Sequence, residues 1–315
     1  MSDVKAAGKI LAELNRRREE NTLSYFKPYP WQKDFLHAHD SFGDLASQIL
    51  LRCANQVGKT FVGAKAVAYH ATGLYPDDWD GKVINYAPII WVGGNTIPNT
   101  RDLCQSELIG EAGDKDAFGT GAIPKHLIGR QTKYHGIPDA LQSVLVKHTS
   151  GKWSKIVFKA YEQGKDAWMG KGVDYVWGDE EMPYDIYSQC LRATLRKRGI
   201  IAMTATPENG LTQIMRMFSE EDKRGQCMIT ATWDDAPHLD EETKRQRLDG
   251  LLPFEREMRS KGIPVMGSGL VFPISESEIM CDPFVIPPDW KKIAGIDFAG
   301  SGTDGHDYCP VRDCY

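Results

Sequence analysis

The sequence predicts an α/β fold, a mainly parallel sheet flanked by helices, on three observations. Short apolar runs bounded by turn residues alternate with helical patterns, the arrangement that feeds parallel strands through crossover helices. One such run, Ile49-Leu50-Leu51, leads into Cys53-Ala54-Asn55-Gln56-Val57-Gly58-Lys59-Thr60 and passes directly into a helical pattern from Phe61 to Ala68. A second, Val173-Asp174-Tyr175-Val176-Trp177, ends in Gly178-Asp179-Glu180-Glu181.

Taken in order, Val4, Ala7, Ile10, Leu11 and Leu14 share a helical face, so residues 1–24 are expected to form an N-terminal helical segment. Its end, Arg16-Arg17-Arg18-Glu19-Glu20, suits a solvated terminus or a partner contact. Residues 25–36 are aromatic and proline-rich and lead into a helix with Gln32 in its first turn. A Gln amide offers a donor and an acceptor, which matches the two-sided edge of adenine. The same residues also read as a stapled helix start. A strand is expected to end at Ile89-Ile90-Trp91-Val92, and a helix to run from Thr100 to about Ile109. Residues 110–140 are rich in Gly, Lys and His without clear periodicity and read as a long functional loop. Strands follow at 143–148, 154–159, 173–179, 200–203 and 227–233, and helices at 184–197, 210–221, 240–248 and 252–261. Asp234, Asp235 and His238 suit an Asp-rich turn before a helix better than a metal trio. Residues 263–289 read as a linker, and Lys292–Phe298 as a fresh strand carrying Asp297.

The chemistry gathers at three strand ends. Strand, tight loop, Gly-Lys-Thr and helix is the context of a phosphate-binding P-loop. Backbone N–H groups face the phosphates, Lys59 supplies a point charge, and the Thr60 hydroxyl suits Mg²⁺. The usual first glycine of the loop is Cys53 here, whereas Gly58 stands where the backbone must approach a phosphate. Such chemistry needs a carboxylate on a neighbouring strand for the metal and a group beside it that orients water, roles for Asp179 and Glu180. Thr204-Ala205-Thr206-Pro207, a hydroxyl-rich turn after the 200–203 strand, can sense a terminal phosphate.

The 315 residues suit one large domain with an appendage, or two domains, and 41% hydrophobic with 26% charged content is ordinary for a soluble protein. A net charge of −5 does not point to a protein coated in nucleic acid but leaves room for a local basic track. The sequence has no stretch of 18 apolar residues and no signal-peptide pattern, so a cytoplasmic protein without a membrane partner is expected. The seven cysteines form no zinc-type CxxC pair and read as free thiols.

With those residues in view, the chain resembles the large terminase subunit of tailed bacteriophages, the motor that packages DNA into procapsids. The resemblance runs over about residues 25–300. It rests on Gln32 after Tyr29-Pro30-Trp31, on Ala54-Asn55-Gln56-Val57-Gly58-Lys59-Thr60, on Trp177-Gly178-Asp179-Glu180-Glu181, on Thr204-Ala205-Thr206-Pro207, and on the run from Thr232 to Leu239. It implies a P-loop additional-strand (ASCE, RecA-like) ATPase core over 25–262 that binds ATP and Mg²⁺. Gln32, Asn55, Gln56, Val57, Gly58, Lys59 and Thr60 would hold the nucleotide, and Thr60 and Asp179 the metal. Lys59 and Glu180 would carry catalysis, and Thr204, Ala205 and Thr206 would be the coupling motif. The implied partners are double-stranded DNA, the small terminase subunit, the portal protein of the procapsid and further copies in a homo-oligomeric ring, in the host cytoplasm.

Such proteins normally carry an RNase H-like nuclease after the motor, and Asp297 matches its first metal-binding Asp. Two-metal cleavage needs several converging carboxylates, so residues 290–315 are expected to be only a remnant of that domain, with nuclease function lost. Many members also carry an Arg inside the P-loop. Here Cys53–Val57 contains none, and a cation from a neighbouring subunit is expected, with Arg101, Arg130 and Arg192 as candidates. Within the 110–140 excursion, Lys115, Lys125, Arg130 and Lys133 suit a grip on DNA phosphates or a subunit interface. The rival readings are a helicase-like remodelling ATPase, which would bring a second RecA-like domain, and a chain that binds nucleotide or partners without turnover.

Overall fold

The alternation of strands and helices resolves into one eight-stranded sheet. A computed structural model of the chain describes residues 10–16, 21–219 and 223–264, all within one compact unit, Met1–Pro273. In chain order the strands are β1 (Gln48–Cys53), β2 (Ile89–Gly94), β3 (Ile128–Lys133), β4 (Leu141–Lys147), β5 (Trp153–Ala160), β6 (Tyr175–Asp179), β7 (Ile200–Ala205) and β8 (Gln226–Ala231). They lie in the order β3-β4-β5-β2-β6-β7-β1-β8. The six from β5 to β8 pair in parallel, and β3 and β4 extend one edge antiparallel. One strand, β7, separates the P-loop strand β1 from the acidic strand β6, which is the additional-strand arrangement.

The helices that position the site are α1 (Pro30–Leu36), α2 (Lys59–Thr72), α3 (Tyr184–Leu195), α4 (Gln213–Ser219), α5 (Glu241–Asp249) and α6 (Pro253–Lys261). Parallel strands covered on both faces read as unbroken apolar runs. Along β1 the side chains alternate accordingly. Ile49, Leu51 and Cys53 pack with Trp31, Phe35, Val62 and Val67 on the α1 and α2 side, while Leu50 joins Ile186, Tyr187, Ile214 and Met215 on the α3 and α4 side. One glycine fixes how closely α2 lies on the sheet. A Cβ at Gly63 would stand 2.3 Å from the fully buried Trp177 ring of β6.

Three expectations change. The 110–140 excursion is not a continuous loop: after the turn Lys125–Leu127 it forms β3, which pairs antiparallel with β4. The helix expected from Thr100 is broken by a wider π-type turn, Thr100–Gln105, between the short segments Ile97–Asn99 and Ser106–Ile109. The last strand stops at Ala231, because Trp233–Asp235 form a 3-10 turn in which the Asp235 carboxylate accepts from the Thr232 N–H at 2.9 Å. Asp234 and Asp235 therefore belong to this turn, and His238 follows it. Asp297, the expected nuclease remnant and nearly all of the expected linker lie outside the described residues. Among the described residues, no helix is long and apolar enough to cross a membrane.

Candidate active site

Three adjacent parallel strands end together, and ligand chemistry in open α/β sheets collects at such carboxyl ends. Asp179 at the end of β6 is level with Thr204 of β7, and Arg52 of β1 is level with Ala205. The register alone thus brings together the Gly-Lys-Thr loop, the acidic pair and Thr204-Ala205-Thr206, whose first two residues are the last of β7 and not the turn expected after residue 203.

The loop turns through two left-handed residues, Gln56 at φ 62° and Gly58 at φ 99°. A φ near +99° strains any side chain, which accounts for glycine at position 58. The chain then enters α2 at Lys59, where the first-turn N–H groups have no partner within the helix. The loop is gripped from outside: Trp233 Nε1 donates to the Asn55 carbonyl at 2.8 Å, and the Asn55 N–H donates to the Arg259 carbonyl at 3.0 Å. That amide is therefore committed within the protein. Val57 is fully buried, and so is Cys53, whose thiol is pushed up by burial.

The Lys59 ammonium lies 2.7 Å from Glu180 Oε1 and donates to Thr206 Oγ1 at 3.0 Å. Burial opposes its charge, but Glu180 and then Asp179 outweigh that opposition and hold its pKa above the ordinary lysine value. The Thr60 hydroxyl is 3.1 Å from both Asp179 carboxylate oxygens. Thr204 Oγ1 donates to Asp179 Oδ1 at 2.7 Å and accepts from Trp177 Nε1 at 3.0 Å. Burial raises the Asp179 carboxyl to about 6, against the lowering effects of Thr204, Lys59 and Thr60. Glu180 itself sits at φ 67°, a left-handed backbone that costs about 1–3 kcal/mol in a residue other than glycine. It is held there by its N–H on the Thr204 carbonyl at 2.8 Å and by the Tyr161 hydroxyl on its own carbonyl at 3.2 Å. Ala205 is buried between the two threonines.

The donor set fits a hard divalent cation. Among the described residues no cluster of three or more His, Cys, Asp or Glu could hold a metal. A cation at Thr60 and Asp179 would thus take one hydroxyl and one carboxylate from the protein and its other oxygens from phosphate and water, as magnesium does.

Beside the loop lies a cavity of about 540 Å³ whose walls include Tyr29, Gln32, Gly58, Phe61, Lys65 and His238. Gln32 is buried. Its Oε1 accepts from the Tyr29 N–H at 2.9 Å, and its Nε2 lies 3.5 Å from where a Cβ on Gly58 would stand. It is both the helix-start residue and a lining residue of the cavity, so the two readings of this position are compatible.

Of the arginines considered, Arg101 pairs with Asp102 at 2.6 Å, Arg130 lies on β3 at the opposite edge of the sheet from β8, and Arg192 lies on α3. The sequence reading assigned no site role to Lys65 or Arg259, and held Trp233 and His238 as members of the run from Thr232 to Leu239. Lys65 had a visible signal, being the sole acidic or basic residue in the otherwise apolar stretch Phe61–Tyr69. The other three touch the loop only because residues far along the chain fold back on it.

Comparison with known proteins bears on the family and the fold. The profile described as terminase large subunit, T4likevirus-type, N-terminal, matches residues 50–279. The terminase large subunit of Salmonella phage P22 is 33% identical over an aligned length of 317 residues, covering 94% of this chain and 62% of that protein. The chain thus spans less than two-thirds of that relative's length. The large terminase ATPase domain of Thermus phage P74-26 superposes with a TM-score of 0.54 at 14% identity, covering 78% of this chain and 96% of that one. A large terminase from a thermophilic bacteriophage, solved in complex with ADP, gives 0.54 at 13% identity over 75% and 52%. At these identities the structural likeness concerns the fold, and it is the profile match over most of the sequence, with the P22 relative, that decides membership: this chain belongs to the terminase large subunits.

Proposed function

We propose that this chain hydrolyses ATP at the ends of β1, β6 and β7, and that hydrolysis drives translocation of double-stranded viral DNA into a procapsid. The observation that carries the reading is the joined set at those ends, with Lys59 on Glu180 and Thr206 and Thr60 on Asp179. The ATPase domain is assigned to residues 25–262. Lys59 and the loop amides from Gln56 onward would bind the phosphates, with Gln32 at the edge of the base cavity. Thr60 and Asp179 would hold Mg²⁺, which neutralises charge developing on the phosphate oxygens.

Glu180 orients the attacking water and accepts its proton, its backbone held left-handed by its N–H on the Thr204 carbonyl. An arriving phosphate competes with Glu180 for the Lys59 ammonium, so binding itself frees the carboxylate for water. Thr206 touches Lys59, and its N–H is directed at Glu180 Oε2 at 3.5 Å. The Thr204-Ala205-Thr206 segment at the end of β7 therefore follows changes at either residue and can couple them to movement. Further copies in a ring, the small terminase subunit and a portal are the partners this reading brings.

The test is phosphate release at saturating Mg-ATP, with and without double-stranded DNA. Lys59→Ala should remove turnover, and Glu180→Gln should retain nucleotide binding while losing hydrolysis by about two orders of magnitude or more. Turnover of Lys59→Ala within about threefold of the parent would overturn the assignment.

A further inference from the structure

His238 joins the cavity to the phosphate loop. Its ring lies parallel to Tyr29, with centroids 6.0 Å apart and 6° between planes, and both residues line the cavity. Its Nε2 is 3.0 Å from the Gln56 carbonyl, and its Nδ1 is 3.4 Å from the Tyr29 hydroxyl. A carbonyl can only accept, so Nε2 carries the proton. In the neutral ring Nδ1 is then the acceptor for the Tyr29 hydroxyl, and the chain of bonds runs one way.

Gln56 is the left-handed residue of the loop that is not glycine. In a planar trans peptide the carbonyl and the next N–H point in opposite directions. Holding the Gln56 carbonyl outward on His238 therefore turns the Val57 N–H toward the inside of the loop, where a phosphate binds in the reading above.

We propose that His238 is a positioning residue that couples occupancy of the base cavity to the shape of the phosphate loop. The inference rests on the nucleotide-binding reading of the site. A base in the cavity packs against Tyr29 and His238, restricts both rings and so fixes the Gln56–Val57 peptide. Phosphate affinity then depends on whether the cavity is filled.

The experiment divides the nucleotide into two separate probes. Binding of tripolyphosphate with Mg²⁺ is measured by calorimetry, with and without saturating adenosine, on the parent protein, His238→Ala and Tyr29→Phe. In the parent, adenosine should tighten tripolyphosphate binding by about fivefold or more, the lower end of typical coupling between sites. In His238→Ala, whose replaced side chain is exposed, the enhancement should vanish. Tyr29→Phe keeps the ring and loses the hydroxyl bond, so its enhancement should be intermediate. No enhancement in the parent, or an undiminished one in His238→Ala, overturns the proposal. A purely structural histidine would give the latter result, weakening tripolyphosphate equally under both conditions. Phosphate release from ATP on the same samples tests the ATPase reading separately, because the coupling requires no turnover.

Discussion

Replacing Lys65 by Met should stabilise the protein below pH 8 and destabilise it near pH 10.5. Lys65 is 2% exposed, its ammonium 4.9 Å from the Phe61 ring centroid and 5.7 Å from that of Phe26. It donates to Thr22 Oγ1 at 2.8 Å. Burial lowers its pKa from the ordinary 10.5 to about 8, with Glu107 opposing. At about 1.4 kcal/mol per pH unit, the buried charge costs the folded state about 3 kcal/mol below pH 8. Between about 8 and 10.5 the unfolded chain binds more protons than the folded one, so this residue's contribution to stability rises with pH across that window. Methionine removes the charge at similar volume. It also removes one hydrogen bond, worth about 1 kcal/mol, and a cation–π contact of about 0.5–1 kcal/mol. Thr22 keeps its own bond to the Gly121 carbonyl. The variant should therefore be more stable by about 1–2 kcal/mol at pH 7, with the sign reversed near 10.5. Urea unfolding of both proteins from pH 7 to 10.5 measures the difference, in which the titrations of all shared tyrosines and cysteines cancel. A difference that stays constant across this range would refute the assignment of a desolvated charge to Lys65.

Two further predictions concern the support of the acidic strand. Thr204→Val keeps the shape but leaves the buried Trp177 indole N–H unpaired and takes a donor from Asp179, so it should lose about 2–4 kcal/mol in chemical unfolding; an unchanged midpoint would count against the Trp177–Thr204–Asp179 chain. Gly63→Ala should destabilise by about 1–3 kcal/mol although alanine favours helices, because the new methyl meets Trp177; a gain in stability would show that α2 lies further from the sheet.

The parts legible in the sequence were those set by local pattern. β1, β6 and β7 are apolar runs, and their ends carry Lys59, Asp179, Glu180 and Thr204, so fold and candidate site could be read from the same motifs. β3 was hidden because Ile128–Lys133 is an edge strand with largely polar, partly exposed side chains. Neither apolar periodicity nor a continuous hydrophobic run marks such a strand. The grip of Trp233, His238 and Arg259 on the loop was hidden for another reason. Each contact joins residues far apart in the chain, and a tryptophan or histidine after a strand says nothing by itself about which distant carbonyl it will meet.

The position of β1 between β7 and β8 also bears on how the molecule is made. Gln48 pairs with Ile201 on one side and with Gln226 on the other. As the chain leaves the ribosome, β1 is the first of the eight described strands to emerge, yet its neighbours β7 and β8 are the last two. Until then the N–H and C=O groups along both of its edges stay unpaired beside apolar side chains, and such edges invite wrong pairing. Topology of this kind slows folding, because distant ends must meet before any sheet contact rewards them. The nascent protein should consequently be most vulnerable to aggregation over the long interval between emergence of β1 and emergence of β8. A chain stopped after β6 would carry the loop and the acids without a folded site, and residues up to Gly262, which packs against Cys53, are needed before the loop is fully enclosed.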